Sequence, residues 1–313
     1  MFSIKQKNEF MKKILILLLF YSITLSAQQE SHYTQYMYNM SIVNPAYMTN
    51  EPGVYQLGSL YRKQWISISG APTTANVFAH IPVNDQIELS VNYVNDQIGN
   101  HIKLSRNLFN IDMAYKIKLD EVKNLSFGLK SGGENLTLDA SSSNVASDSS
   151  LENINNTVFT LGAGVFLFTD NYYLGLSVPN LLPTKIKNSN SESSYTTVAH
   201  LNLIGGYVFD LSDMIKFKPS AIVRGTIGTP LSFDLSLNAL YNNQFELGIS
   251  YRLEDSLGAM ATVNVTPNLR LGYAYDYTIS DLKDYNNGSH EFILLYKFDF
   301  LSLGKKYSSP RFY

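Results

Sequence analysis

The residues most able to do chemistry are spaced in a way that argues against it. His32, His80, His101, His200 and His290 lie far apart, with no pair at i, i+4, so the helix-borne zinc-protease pattern is missing. No Gly-x-Ser-x-Gly elbow occurs, which removes the strand-to-helix serine nucleophile. GTIGTP at 225–230 lacks the lysine a phosphate loop needs and reads as a tight strand connection. Asp139, Asp148 and Glu152 carry the oxygen ligands calcium takes, but their spacing in a serine-rich stretch matches no calcium loop. A solvated surface loop is the expectation there. With no cysteine, thiolate metal sites, disulfides and an acylated N-terminal cysteine are excluded. The sequence therefore predicts no catalytic residue, no cofactor and no metal. An enzyme reading would need His200 or His290 to meet a serine at a lipid interface, and nothing in the sequence pairs them.

Four further ionisable residues, Arg224, Asp234, Arg270 and Asp276, fall inside segments of strict alternation. From Ser232, one parity reads Phe233, Leu235, Leu237, Ala239, Tyr241 and the other Ser232, Asp234, Ser236, Asn238. From Leu269 the apolar parity is Leu269, Leu271, Tyr273, Tyr275, Tyr277, and the pattern recurs at 109–119, 245–252 and 292–300. Such alternation is a strand signal, and segments of about ten residues match the 9–11 of a tilted membrane-crossing strand. The charged residues then face a polar interior, where the expectation is that they pair with one another.

The N-terminus supplies the compartment. Lys12 and Lys13 precede the apolar run ILILLLFYSI and the small residues ending at Ala27. That order is the order of a secretory signal peptide over residues 1–27, with Met11 as an alternative start. Its removal takes away four lysines and Glu9, leaving 20 basic against 25 acidic side chains, a net charge of −5. So mild an acidity gives no footprint for nucleic acid. The 22 tyrosines and 17 phenylalanines with a mean hydropathy of −0.08 describe a chain that is aromatic-rich without being continuously apolar.

About fourteen strands are expected, near 54–64, 75–82, 87–97, 101–119, 124–138, 157–168, 172–179, 196–210, 214–226, 231–241, 244–252, 257–265, 269–279 and 289–300. After each even-numbered strand the link is short: VNDQ, DEVK, TDN, LSD, NN and TPN. After several odd-numbered ones it is long and polar, as in ASSSNVASDSSLENINN and NLLPTKIKNSNSESSY. Short turns alternating with long loops are the layout of an outer-membrane barrel, whose closure satisfies every backbone group in lipid. The fold class is all-β, an antiparallel transmembrane β-barrel over residues 51–300. A periplasmic or plug-like segment at 28–50 precedes it and a periplasmic tail at 301–313 follows, with both termini in the periplasm.

Two segments exceed what a bare wall requires. QQESHYTQYMYNMSIVNPAY, 28–47, gathers Tyr33, Tyr36, Tyr38 and Tyr47 around Met37 and Met40 and breaks at Asn44-Pro45. It is too aromatic for a free tail; a plug in the lumen gives tyrosine ring and hydroxyl both a partner, and docking of another protein is compatible with that. In YRKQWISISGAPTT, 61–74, Tyr61, Arg62 and Trp65 end the first strand, Trp65 at the level of an interfacial belt, and Gly70-Ala71-Pro72 turns the chain back.

Together, QYMYNMSIVNPAY and YRKQWISISGAPTTANVFAHIPV resemble the PorP/SprF family of outer-membrane proteins of type IX secretion. The positions that carry the resemblance are Gln35, Tyr36, Asn44, Pro45, Ala46, Tyr47, Tyr61, Arg62, Gln64, Trp65, Gly70, Pro72 and Thr74; the terminal SPRFY, with Pro310 and Arg311, is similar to family endings. SIVNPAY departs from the family in the residues before Asn-Pro-Ala. The resemblance implies a barrel that supports export and surface attachment of a large adhesin, including gliding adhesins, through its C-terminal sorting domain. It also implies contacts with secretion or gliding machinery in the outer membrane and periplasm. The partner-binding or plug residues expected on this basis are Tyr33, Tyr36, Tyr38, Asn44, Pro45, Tyr47, Tyr61, Arg62, Trp65, Gly70, Pro72, Pro310 and Arg311. A substrate-specific transporter with a fatty-acid-transporter-like barrel is the alternative.

Overall fold

In a computed structural model of the chain, residues 32–139, 153–182, 185–187, 193–196, 198–226 and 231–299 are described. Fourteen strands close an antiparallel barrel: β1 (Val54–Lys63), β2 (Thr73–Pro82), β3 (Ile87–Ile98), β4 (Lys103–Lys118), β5 (Asn124–Asp139), β6 (Ile154–Phe168), β7 (Tyr172–Val178), β10 (His200–Tyr207), β12 (Ile215–Thr226), β13 (Ser232–Tyr241), β14 (Phe245–Arg252), β15 (Ser256–Asn264), β16 (Leu269–Thr278) and β17 (Ser289–Asp299). β8 (Lys185–Lys187) and β9 (Ser193–Thr196) form a separate hairpin, and β11 (Phe209–Asp210) is a short pairing on β12. Neighbours in sequence pair around the ring, β7 pairs with β10 and β10 with β12, and β1 joins β17 with Val54 opposite Asp299. None of the fourteen barrel strands is left at an edge.

The alternation explains why the sheet closes this way up. On β4 the outward side chains Phe109, Ile111, Met113, Tyr115 and Ile117 are each 41–48% exposed, while inward Asn110, Asp112 and Ala114 are at most 2% exposed. The wall is apolar outside and polar inside, the inverse of a soluble sandwich, and so large an apolar surface calls for a lipid covering. None of the described helices is long and apolar enough to cross a membrane. Strands β4 and β5 run 16 residues and β6 runs 15, more than a bilayer crossing needs.

The links on one side are all short, as expected, but the other side is mixed: those at 64–72, 140–153, 179–199 and 279–288 are long, whereas those at 99–102, 227–231 and 253–255 are as short as the turns. The expected strand 196–210 divides at Val208, which keeps the inward parity of β10 and is buried while its N–H donates to Asn171 O at 2.6 Å. Phe300, the tail 301–313 and most of the serine-rich loop lie outside the described residues.

Residues 32–50 fill the interior. They make only two short 3-10 turns, Tyr36–Tyr38 and Met40–Ile42, so their backbone depends on the wall for partners. Thr34 and Gln35 lie beside Asp276 and Glu291, in the half of the barrel that carries the long links. Thr49 meets Glu88, and Glu51 meets Lys297, in the half that carries the short turns. The segment thus runs down the lumen from the long-link end to the short-turn end, then enters β1 through Gly53, whose φ of 81° suits glycine.

Candidate functional site

At the long-link end Arg62 points inward and holds the head of the luminal segment. Its guanidinium lies 2.7 Å from Asp276 Oδ2 and 3.1 Å from Glu291 Oε2, and donates to Thr34 Oγ1 at 3.1 Å. Thr34 Oγ1 donates in turn to Asp276 Oδ2 at 2.6 Å, and the N–H groups of Thr34 and Gln35 donate to Glu291 at 2.9 and 2.7 Å. Every member is nearly inaccessible to solvent. Beside it, Asp234 accepts from Arg224 at 2.9 Å and from Arg252 at 3.1 Å. Desolvation inside the lumen, with the guanidinium groups of Arg224 and Arg252 nearby, holds the His32 imidazole well below its ordinary pKa. Arg270 lies 3.7 Å from Glu246. The ionisable residues of the alternating segments therefore pair with one another, as expected.

The four tyrosines of the segment are all buried. Tyr38 donates to Glu246 Oε2 at 2.7 Å, with Arg270 stacked 5.5 Å from its ring centre. Burial first, and then the Glu246 charge, push its phenol well above the usual value; burial also raises that of Tyr36, which faces Ser220 and Ser236. Tyr47 wedges edge-on between His80 and Phe166 at 5.4 and 5.7 Å.

Asn44, Pro45 and Ala46 sit against the opposite wall, β5 to β7, in another manner. Asn44 Oδ1 caps its own turn by accepting from the Ala46 N–H at 2.9 Å, and its Nδ2 donates to Val165 O at 3.1 Å. The wall here is glycine. A Cβ on Gly128 would stand 2.2 Å from Ala46 N and 2.3 Å from Pro45 O, and one on Gly164 would stand 2.2 Å from Asn44 Oδ1. Backbone meets backbone, and no side chain fits between.

Trp65, Gly70 and Pro72 fall in the link 64–72 between β1 and β2. They belong to a rim that stitches three long-side links together. Ile66 N donates to Gly288 O, Asn287 N to Ile66 O, Trp65 N to Ser289 Oγ and Gly99 N to Gly70 O, at 2.8 to 3.2 Å. Trp65 takes φ 44° and Gly70 φ 76°, and a Cβ on Gly70 would collide with the backbone at 99–100. Tyr61, one residue from Arg62, faces outward and is 45% exposed. The sequence grouped these two residues; the pleat sends them to opposite faces. Pro310 and Arg311 lie outside the described residues.

One serine does lie within reach of a histidine, Ser90 Oγ at 2.9 Å from His80 Nδ1. Glu88 approaches the same nitrogen at 3.3 Å, whereas a triad needs the acid and the serine on opposite ring nitrogens. The pair is fully buried beneath Tyr47, so a substrate has no approach to it. Among the described residues no group of three His, Asp or Glu side chains is placed to hold a metal.

Sequence reasoning missed Glu88, Glu246 and Glu291, and the glycines opposite Asn44. Their signal is parity: each sits on the inward register of its strand, where a carboxylate or a missing side chain must have an interior partner.

The long-link half also holds a cavity of about 80 Å³ between Tyr33, Ile42 and Val43 of the segment and the wall at Leu108, Glu134 and Asn202.

The fold resembles solved outer-membrane barrels. A FadL homologue of Pseudomonas aeruginosa superposes with a TM-score of 0.51 at 11% identity, covering 83% of this chain and 94% of that one. The CymD monoaromatic hydrocarbon channel gives 0.54 at 12%, covering 83% and 92%. The Ralstonia pickettii toluene transporter TbuX gives 0.50 at 9%, covering 82% and 92%. At such identities the likeness is one of fold. No curated protein sequence matches the chain. The family model for the type IX secretion system membrane protein PorP/SprF matches residues 25–296, a span that takes in the luminal segment, the rim and thirteen complete strands together with most of the last. The chain belongs to the PorP/SprF family of type IX secretion system membrane proteins.

Proposed function

We propose that this barrel is a docking partner in type IX secretion, supporting export and cell-surface attachment of a large adhesin by gripping its C-terminal sorting domain at the long-link mouth. On this reading residues 1–27 are the export signal. The long-link end faces outward and carries the adhesin, a gliding adhesin included; the short turns and the tail 301–313 face machinery in the periplasm. The observation that carries it is the filled lumen. Residues 33–49 are buried along almost their whole length and are bonded to the wall at both ends and in the middle. A solute would have to displace these bonds to cross, whereas a docked protein leaves them in place. The transporter reading requires a path that the segment occupies.

The test is a mild-detergent pull-down of the full chain from its native host, tagged within 139–156, with mass spectrometry. Recovery of a very large secreted polypeptide together with type IX components is the expected result. Recovery of the barrel alone overturns it and makes single-channel conductance the next measurement.

A further inference from the structure

The long-link cavity lies beside the segment, and one of its walls carries an unmet bond. Asn202 is 2% exposed and donates from Nδ2 to Val43 O at 3.2 Å, but its Oδ1 has no partner. A buried acceptor left unpaired costs about 1–3 kcal/mol, and Asn202 is one of the residues that line the cavity, its Oδ1 enclosed just behind the surface. We propose that the cavity receives the tip of a polypeptide inserted from the long-link end: one neutral side chain that packs against Val43 and Leu108 and donates to Asn202 Oδ1 after a small tilt of that amide toward the space. This rests on the docking reading above and names the site of it.

Charge selects a neutral group. Arg106 is bonded to Glu134 at 2.7 Å, Arg224 to Asp234 at 2.9 Å, and Asp96 accepts from Thr74 at 2.6 Å. Lys130 is spent on Ser41 O and Ile42 O at 3.0 and 3.3 Å. An entering ion would find each opposite charge already engaged, and burying it unpaired is costly. An amide or hydroxyl suits the orphaned acceptor.

Size selects a tip. At about 80 Å³ the space is roughly half the ~150 Å³ cavity that holds benzene and far below the ~300–1,000 Å³ of a small-molecule site. A handful of heavy atoms at no more than about 1.5 kcal/mol each does not hold a free ligand firmly, so the group must be carried by a larger molecule that also grips the rim. The floor selects the direction. Lys130 clamps the segment at Ser41 and Ile42 beneath the cavity, and the walls at Asp96, Arg106 and Arg224 lie near the long-link ends of their strands. What enters there leaves by the same side, which suits docking.

A diazirine amino acid placed at Asn180, on the cavity lip, in the full chain expressed in its native host tests this. The same group at lipid-facing Met113 is the control. The expected result is a cross-link from 180, absent from 113, whose mapped peptide lies in the C-terminal region of a secreted polypeptide. Val94→Phe, which fills the cavity without touching Asn202, and Asn202→Leu, which removes the acceptor, should each reduce that cross-link at least tenfold. Insertion of both variants is checked by heat-modifiable migration. Partner recovery without a cross-link from 180, or undiminished in an inserted Val94→Phe barrel, overturns the cavity assignment and leaves docking intact. No partner by either route overturns both.

Discussion

The luminal segment is held by two walls that work on different physical principles. On the side of β1, β16 and β17, Arg62, Asp276 and Glu291 grip Thr34 and Gln35 through charge. On the side of β5 to β7, Gly128 and Gly164 accept Pro45, Ala46 and Asn44 through shape. Buried charges attract strongly but must first be desolvated, so their net worth is small while the cost of unpairing one is large. A glycine wall carries no such liability, and its cost is the intolerance of any added atom. The charged wall should therefore be fragile to deletion and the glycine wall fragile to addition.

The largest effect should come from Arg62→Met. It leaves two buried carboxylates facing each other, and breaking a buried ion pair from one side costs about 3–5 kcal/mol. Thermal unfolding in detergent and protease cleavage within 32–50 should both report it. Replacing Arg62, Asp276 and Glu291 together with Met, Leu and Gln should recover most of that loss, because no unpaired charge then remains and an amide oxygen at 291 still accepts from the Thr34 and Gln35 N–H groups. If the triple variant is as weak as the single one, the charges contribute more than pairing and this half of the comparison fails.

Next in size is Gly128→Val, where the added carbon atoms meet backbone that cannot rotate away. Overpacking of this kind costs about 1–3 kcal/mol, and the segment should become cleavable near Pro45 while the barrel stays inserted. Smaller again is Asn44→Ala, which deletes the cap on the Ala46 N–H and the bond to Val165 O, at about 1–2 kcal/mol. A Gly128→Val protein with an undisturbed segment would show that the wall yields, and the shape argument would go with it.

How much of this was legible in the sequence follows from the range of each interaction. The strand ends were readable because alternation is local: β3, β5, β12 and β13 end within one residue of expectation. The break at Val208 was not, since the residue it bonds there, Asn171 in the turn before the neighbouring β7, is remote in sequence. Tyr36, Tyr38, Asn44 and Tyr47 stood out by composition, and the lumen is where they lie. Their partners did not stand out, because Arg62 and Asp276 or Tyr38 and Glu246 are brought together only by closure of the ring. The direction in which the segment runs was invisible for the same reason. Asn202 reads as an ordinary polar residue of a strand until the cavity beside it is seen.

The smallest effect sharpens the comparison by separating the two walls with acid. His32 stands among Arg224, Arg252, Asp234 and Arg62 at the charged end, with its pKa depressed. A histidine that binds its proton less readily when seated than when free contributes its full share to seating above the free value, near 6.5. That share is lost as pH falls below 6.5 toward the depressed seated value, because the released segment then takes up the proton first. Hydrogen exchange at the amides of Thr34 and Gln35 should therefore speed up between pH 7 and 5.5, after correction for intrinsic rates, by less than about tenfold per pH unit. At Ala46, seated against Gly128 by shape, it should lag. His32→Gln should flatten the response at the charged end alone. An equal acid response at both ends, or one that survives His32→Gln, would mean that the segment leaves as one body and that the two walls are not independent holds.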